Sequence, residues 1–281
     1  MSDYNSSASD GVSSVIEVKG ITKKFGDNVV LDDISLGVEK GKTTVIIGPS
    51  GCGKTVLIKH LVMLMRPTQG SVYFRGRRID ELDDGALNEI RLHYGFLFQG
   101  GALFDSLTVY ENIVFPVRQH YKIQDSSKLD ELVSSKLAMV GLDGFQHYYP
   151  VNLSGGQRKR VALARAIVLN PDVVLYDEPT TGLDPIMSDT INELILKLQR
   201  ELGLTSVVVT HDMSSVYKIG DRIVMLHKGK IIADGDADYI RNHPDVIVQQ
   251  FITGHVSEED LAVLRMNHAD KIRFSPMNFK S

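Results

Sequence analysis

The sequence contains no tryptophan and only one cysteine, Cys52, among its 281 residues. A single thiol cannot form an intrachain disulfide, so the chain suits a reducing compartment and its fold is expected to depend on a hydrophobic core. It has no run of about 18 apolar residues, the length that a membrane-spanning helix needs. Residues 1–14 are rich in Ser and Asp and lack the apolar segment of an export signal. We therefore expect a cytoplasmic chain.

A large excess of charge of either sign is also missing. Acidic residues number 35 and Lys and Arg together number 31, which gives a net charge of −4. Because the two signs are interspersed, the composition does not predict a broad basic surface, and we expect no nucleic-acid partner. Hydrophobic residues make up 43% of the chain, enough for the core of one large domain or of two small ones.

Hydrophobic patterning divides the chain into three parts. Residues 1–14 are predicted to be a disordered leader, 15–255 to be the folded domain and 256–281 to be a tail. Short β-prone runs near the start of the domain predict an antiparallel sheet, and a mostly helical pattern over about 87–170 predicts an inserted helical subdomain. Continuous apolar runs predict buried parallel strands at 44–47, 173–176 and 206–209. Strands that alternate with helices indicate an α/β fold.

A glycine-rich segment follows the first of these strands. It matches G-x-x-x-x-G-K-T and consists of Gly48, Pro49, Ser50, Gly51, Cys52, Gly53, Lys54 and Thr55. Its backbone N–H groups can converge on phosphate at the positive end of the next helix, while Lys54 reaches the β and γ phosphates and Thr55 ligates Mg²⁺. The motif therefore predicts a P-loop that binds ATP with Mg²⁺. Because a helix start favours a thiolate, Cys52 is either a reactive thiol that ATP protects or a small filler residue.

Two carboxylates, Asp177 and Glu178, end another predicted buried strand. A carboxylate there needs a cation or water nearby, so we expect Asp177 to hold Mg²⁺ and Glu178 to act as the general base for the attacking water. Gln99 and His211 are the candidate neighbours that orient this water. Taken singly, each has an ordinary explanation. The Asp177-Glu178 pair could start a turn, Gln99 could be a loop residue, and His211 could be a polar cap at the end of a strand. As a set with the P-loop they predict a catalytic site.

A second glycine-rich turn precedes a predicted helix over 158–169. It consists of Ser154, Gly155, Gly156 and Gln157. The S-x-x-Q spacing fits a capping box, so simple helix initiation is one explanation. The glycines also expose N–H groups at a positive helix end, which suits an anion. Since the P-loop already covers its own nucleotide, we predict that the phosphate bound here belongs to a second copy of the chain.

These motifs, in this order, resemble the ATP-binding subunit of an ABC transporter over about residues 15–235. The resemblance implies a P-loop NTPase (RecA-like) core with an antiparallel β subdomain and an inserted α-helical subdomain. It implies that the Phe25 ring stacks on adenine and that Gln99 joins the Mg²⁺ ligands and links the nucleotide to the helical subdomain. It further implies that His211 senses the γ-phosphate, that Asp184 lies at the seam of a homodimer, and that the segment from Ser154 contacts the partner's γ-phosphate.

A narrower likeness concerns the transported substance. Residues 98–109 and 246–254 are similar to the Mce/Mla-type lipid transport ATPases, although Thr55 and Met63 stand where Ser and Gly are common. This likeness implies lipid, in particular phospholipid, transport with integral membrane permease subunits and an Mce-domain substrate-binding protein, at the cytoplasmic face of the inner membrane. The alternatives are an ATPase for an amino acid or another small solute, a non-transport ABC ATPase, and a nucleotide switch without turnover.

A short apolar stretch follows Gln99. Its residues, with two aromatic residues further along, are Ala102, Leu103, Phe104, Tyr110 and Phe115. Core packing explains any one of them. As a group they also predict a surface that grips a helix of a membrane subunit.

Overall fold

The structure is a computed structural model that describes residues 14–121 and 125–255. The predicted leader and tail lie outside the described residues, apart from Ser14, which begins the first strand. The strands are β1 (Ser14–Phe25), β2 (Asn28–Glu39), β3 (Thr43–Ile47), β4 (Gln69–Phe74), β5 (Arg77–Arg78), β6 (Tyr94–Leu97), β7 (Val173–Asp177), β8 (Thr205–Val209), β9 (Arg222–His227) and β10 (Lys230–Gly235). The helices are α1 (Lys54–Leu61), α2 (Asp84–Arg91), α3 (Val109–His120), α4 (Ser126–Met139), α5 (Gly155–Ala166), α6 (Pro185–Leu202), α7 (Met213–Ile219), α8 (Ala237–Arg241) and α9 (Val246–Thr253).

The strands form two sheets. The first is antiparallel with the order β2-β1-β4-β5, which confirms the antiparallel sheet expected near the N-terminus. The second has the order β10-β9-β3-β8-β7-β6. All its neighbouring strands are parallel except the hairpin of β9 and β10. The result is the α/β, P-loop NTPase architecture that the sequence predicts.

The larger sheet is buried on both faces because its strands are apolar at successive positions. Val45 and Ile47 of β3 pack into one hydrophobic cluster with residues of α3 to α7. Ile46 packs into the other cluster, with residues of α1 and the antiparallel sheet. Helices α1 and α5 therefore lie on opposite faces of the sheet.

Four adjacent parallel strands, β3, β8, β7 and β6, end at the same edge of this sheet. In register, Ile46 of β3 lies opposite Val209 of β8, which lies opposite Asp177 of β7. Leu97 of β6 lies opposite the preceding residue of β7, Tyr176. Ligands of α/β sheets bind beyond the carboxyl ends of the strands, so the loops at this edge are where a site is expected.

The stretch over about 87–170 that is predicted to be mostly helical also contains one strand of the core sheet, β6, which the sequence pattern did not predict. Gly95 lets α5 approach this strand, since a Cβ there would lie 2.5 Å from the Ala166 carbonyl oxygen. Pro116 lies inside α3. Helices α3, α4 and α5 do lie between β6 and β7, and the division into subdomains remains a prediction. No helix of residues 14–121 or 125–255 has the length and apolar character needed to cross a bilayer.

Candidate nucleotide site at the edge of the parallel sheet

The P-loop connects β3 to α1 as predicted, and its conformation requires glycine at two positions. Gly48 has φ 143° and Gly53 has φ 107°, both in the region that residues with a Cβ rarely adopt. A Cβ at Gly48 would collide with the Leu226 carbonyl oxygen, and one at Gly53 would lie 2.8 Å from Leu31 Cδ2. Backbone strain and tight packing against β9 and β2 therefore both exclude a side chain.

Helix α1 begins without the side-chain cap that the other described α-helices have. Its N-cap residue is Gly53, and no acidic residue occupies its first turn. No side-chain cap therefore occupies its first N–H groups and positive dipole end, which suit an anion. Lys54 Nζ donates to the carbonyl oxygens of Gly48 at 2.7 Å and Pro49 at 2.9 Å, which holds the ammonium group over the loop. Loop, dipole and ammonium together suit the phosphates of a nucleotide.

The structure argues against a reactive thiolate at Cys52. The side chain is buried, and burial raises the pKa of its thiol above the usual value, an effect that the Lys54 charge opposes only in part. A raised pKa lowers the thiolate fraction at neutral pH. The geometry favours the alternative, a small residue that fills the space beneath Gly48.

Asp177 is the last residue of β7, and Glu178 follows it. Strand β7 pairs with β8, which in turn pairs with β3, the strand before the P-loop. Burial, followed by the Glu178 charge, raises the pKa of Asp177, and the charges of Lys54, Lys59 and Lys159 oppose this shift. A half-buried carboxylate beside the P-loop lysine fits a Mg²⁺ ligand, since a cation would offset the cost of its burial. No cluster of three or more His, Cys, Asp or Glu side chains with metal-binding geometry occurs in the described part of the chain. Thr55, Asp177 and Gln99 are the residues predicted to hold the ion together with phosphate and water, and this ligand set remains a prediction.

Glu178 is held in a strained conformation with its carboxylate in a hydrogen-bonded position. Its φ is 51°, a left-handed value that costs a non-glycine residue on the order of 1–3 kcal/mol and often marks a functional site. His211 Nδ1 lies 3.0 Å from Glu178 Oε1, and Thr181 Oγ1 donates to Oε2 at 3.0 Å. The Glu178 side chain is 14% exposed, whereas that of His211 is 64% exposed. The structure thus brings together the predicted base and one of its two predicted neighbours.

Gln99, the other predicted neighbour, joins the site through its main chain. Its side chain is exposed, and its carbonyl oxygen accepts a 2.5 Å hydrogen bond from Lys159 Nζ. The same Nζ donates to the Glu178 carbonyl oxygen at 3.1 Å. Sequence reasoning missed Lys159, because a lysine in an Arg-Lys-Arg run is ordinarily solvated. The missed signal is its spacing, which places it on the same face of α5 as the buried apolar residues Ala162 and Leu163, three and four positions later.

The second glycine-rich turn forms the capping box that its spacing predicts. Ser154 Oγ accepts from Gln157 N at 3.2 Å, and Gln157 Oε1 accepts from Ser154 N at 2.8 Å. Gly156 is buried, and a Cβ there would collide with the Met187 side chain of α6. Helix initiation and close packing therefore account for the intrachain contacts of this turn, and the partner's phosphate remains a prediction.

Two further residues predicted from sequence are Asp184 and Phe25. Asp184 is the N-cap of α6, where its Oδ1 accepts from the backbone N–H groups of Ile186 and Met187, each at 3.0 Å. Phe25 ends β1 and is 48% exposed, with Lys23 Nζ 5.3 Å from its ring centroid. An exposed ring of this kind is available for stacking, and the assignment to adenine remains a prediction.

Comparison with known proteins identifies one family. The family model described as ABC transporter matches residues 31–181. The chain is 43% identical over 241 residues to the intermembrane phospholipid transport system ATP-binding protein MlaF of Haemophilus influenzae, which covers 86% of this chain and 91% of that protein. It is 39% identical over 239 residues to the probable ribonucleotide transport ATP-binding protein mkl of Mycobacterium leprae, which covers 85% of this chain and 69% of that protein.

A solved structure shares the fold over most of the chain. It is the dimeric post-hydrolysis state of the ATP-binding cassette MJ0796 bound to ADP and Pi, with a TM-score of 0.72 and 35% identity over 79% of this chain and 98% of that one. Its bound ADP and phosphate agree with the nucleotide chemistry of the sheet edge described above. The chain therefore belongs to the ABC transporter family, as an ATP-binding and ATP-hydrolysing cassette.

Proposed function

We propose that this ATPase powers the transport of lipid, in particular phospholipid, through integral membrane permease subunits and with an Mce-domain substrate-binding protein. The observation that carries the proposal is the 43% identity to MlaF over 91% of that relative's length, because MlaF is named for intermembrane phospholipid transport. In this proposal the chain works at the cytoplasmic face of the inner membrane.

The proposed catalytic roles follow from the sheet edge. Lys54 binds the β and γ phosphates, Glu178 is the general base, and His211 orients the attacking water and senses the γ-phosphate. Mg²⁺ bound by Thr55, Asp177 and Gln99 would neutralise charge on the phosphates. Phe25 supplies the stacking surface for the adenine ring.

The proposed power stroke is ATP-driven closure of a homodimer. Helices α1 and α5 lie on opposite faces of the sheet. This arrangement supports the proposal that the glycine-rich turns at their N-termini bind the phosphates of two different nucleotides. In the closed dimer, Ser154, Gly155, Gly156 and Gln157 of each chain contact the partner's nucleotide, and Asp184 lies at the seam. A shift from 1:99 to 99:1 closed needs a ligand preference of about 5.5 kcal/mol. Two triphosphates, each contacted from both sides, are a suitable source of that preference.

Transmission to the permease is proposed to use an apolar groove beside Gln99. Phe98, Phe104 and Phe115 are all exposed there, and the last two have ring centroids 4.7 Å apart. They border a cavity of about 500 Å³. Arg165 of α5 donates to the carbonyl oxygens of Gly101 and Ala102, each at 2.8 Å, and so ties the groove to the helix that begins at Ser154. Of the residues predicted from sequence, Leu103 and Tyr110 instead pack on the core.

A transport assay on the purified complex tests the proposed substrate. We expect the full-length chain, extracted from membranes, to co-purify with an integral membrane protein and an Mce-domain protein. The complex in vesicles should move a labelled phospholipid only with ATP and Mg²⁺, and a complex with Glu178→Gln should not. Similarity to the mkl protein makes ribonucleotide transport the second candidate. ATP-dependent uptake of a ribonucleotide or an amino acid, without lipid movement, would replace the lipid assignment.

Substitution of Ser154 tests the shared site, and the chain offers a matched control. Thr108 and Glu111 of α3 form a second capping box of the same kind. Ser154→Ala and Thr108→Ala should each cost about 0.5–2 kcal/mol of stability from the lost cap. Only Ser154→Ala is expected to lower steady-state phosphate release, by at least about 10-fold, because only it removes a contact to the partner's γ-phosphate.

Mixing variants shows whether the lost contact is between chains. A Ser154→Ala chain mixed with a Lys54→Ala chain can form a heterodimer in which one site has both walls intact. We expect the mixture to recover activity that neither variant has alone. Equal activity of Ser154→Ala and Thr108→Ala, or no recovery on mixing, would exclude the two-chain site.

A further inference from the structure

Lys159 is a buried cation on the helix that begins at the second glycine-rich turn. Only 6% of it is exposed. Burial lowers the pKa of its ammonium group, and the charges of Glu178 and Asp177 oppose that shift. A buried lysine is unfavourable unless its donors are satisfied. Its Nζ satisfies two of three donors with the main chain of the catalytic edge, at Gln99 O and Glu178 O.

These two carbonyl oxygens belong to the loops that follow neighbouring strands, β6 and β7. Lys159 therefore connects three segments: the helix from Ser154, the loop of Gln99 and the loop of Glu178. The backbone of Glu178 is fixed on its other side by its N–H, which donates to the Val209 carbonyl oxygen at 2.8 Å. A residue with φ 51° needs such restraints, because its strained conformation persists only where its surroundings hold it.

We propose that Lys159 is a positioning residue, which fixes the main chain of Gln99 and Glu178 and thereby sets the place of the Glu178 carboxylate relative to the helix from Ser154. A movement of that helix would then displace the Glu178 main chain through the Lys159 side chain. The inference rests on the proposed role of Glu178.

The chain contains a matched control for the loss of a buried ammonium group. Lys136 of α4 is 4% exposed, its pKa is also lowered by burial, and its Nζ donates to Asn170 Oδ1 at 2.6 Å. It has no hydrogen bond to the catalytic edge among the described residues. Lys136→Met and Lys159→Met therefore make the same chemical change, at one position away from the site and at one position against it.

The test measures kcat and KM for ATP on the full-length chain, together with Tm. Lys159→Met is expected to lower kcat roughly 10- to 100-fold, as misplacement of a catalytic group does, with KM within threefold of the unchanged chain. Lys159→Gln retains hydrogen-bond donors in its amide group, but its side chain is shorter. Its kcat should therefore fall between that of the unchanged chain and that of Lys159→Met. Lys136→Met should lower Tm and leave kcat unchanged.

A kcat for Lys159→Met within twofold of the unchanged chain, or equal losses in both methionine variants, would overturn the inference. If Lys159→Met does not fold, Lys159→Gln decides alone: a kcat loss of threefold or more at constant KM supports the inference, and an unchanged kcat rejects it. Full activity of Glu178→Gln would instead reject the role of Glu178. A strong loss in Glu178→Gln with normal Lys159 variants would reject this inference alone.

Discussion

A Glu178→Gln variant is expected to bind ATP normally, to hydrolyse it about 10²- to 10⁴-fold more slowly, and to remain a closed dimer in ATP. The amide has nearly the shape of the carboxylate and can still accept the hydrogen bond from Thr181 Oγ1, 3.0 Å away in the parent structure. It cannot take a proton from the attacking water. The γ-phosphate therefore stays in place, with its contacts to both chains. Phosphate release measures the chemistry, and light scattering with ATP or ADP measures the dimer.

A control for this substitution removes a carboxylate elsewhere. Glu193 of α6 is exposed, and its Oε1 is 2.8 Å from Lys218 Nζ. Glu193→Gln makes the same change in charge and is expected to keep the rate of the unchanged chain. Normal hydrolysis by Glu178→Gln would remove the general-base assignment. A slow but monomeric Glu178→Gln would keep that assignment and reject ATP-driven closure.

The parts of the fold that were predictable are those with a strong local pattern. The apolar run Val173–Tyr176 is favourable only where both faces are buried, and it forms most of β7, an inner strand of the larger sheet. The P-loop was recognisable because its glycines and Lys54 have a fixed spacing in sequence, and this spacing is required by the conformation of the loop itself. Strand β6 was missed because it has only four residues and one of them is Gly95. Glycine is required there because the backbone of α5, far along the chain, packs closely against it.

The parts of the site that were not predictable depend on contacts between distant segments. Glu178 and His211 could be named from sequence, but their 3.0 Å contact requires β7 and β8 to be neighbours in register. The spacing of Lys159 places it on the apolar face of α5, but its hydrogen bonds to the Gln99 and Glu178 carbonyl oxygens form only because α5 packs against β6. The two alternatives for Cys52 could not be separated from sequence for the same reason: a helix start favours a thiolate, but the packing around this thiol raises its pKa.

Lys54→Ala is expected to abolish measurable ATP binding at concentrations that saturate the unchanged chain. The ammonium group is held over the loop by the carbonyl oxygens of Gly48 and Pro49, from which it can reach the β and γ phosphates. A hydrogen bond to a charged group contributes about 1.5–3 kcal/mol, so the loss of two raises Kd by roughly 10²-fold or more. Calorimetric titration with ATP measures this change directly.

The matched control is Lys59→Ala, on the same helix. Lys59 is exposed, and its charge, like that of Lys54, opposes the raised pKa of Asp177. It thus contributes to the local field without lying over the loop. If the general positive field binds the nucleotide, both substitutions should weaken binding alike. If direct contact to the phosphates does so, Lys59→Ala should change Kd by less than about threefold, because exposed charges are screened.

Thermal unfolding separates lost binding from lost folding in Lys54→Ala. Without nucleotide, the variant loses two hydrogen bonds to carbonyl oxygens, and each 1 kcal/mol that this loss costs lowers Tm by roughly 2–4 °C in a domain of this size. ATP at 100 times its Kd stabilises a binding-competent chain by about 2.7 kcal/mol. The unchanged chain and Lys59→Ala should therefore show a rise in Tm with ATP, and Lys54→Ala should show none. An undiminished ATP-dependent rise in Lys54→Ala would mean that the helix start and the loop backbone bind the phosphates without the lysine.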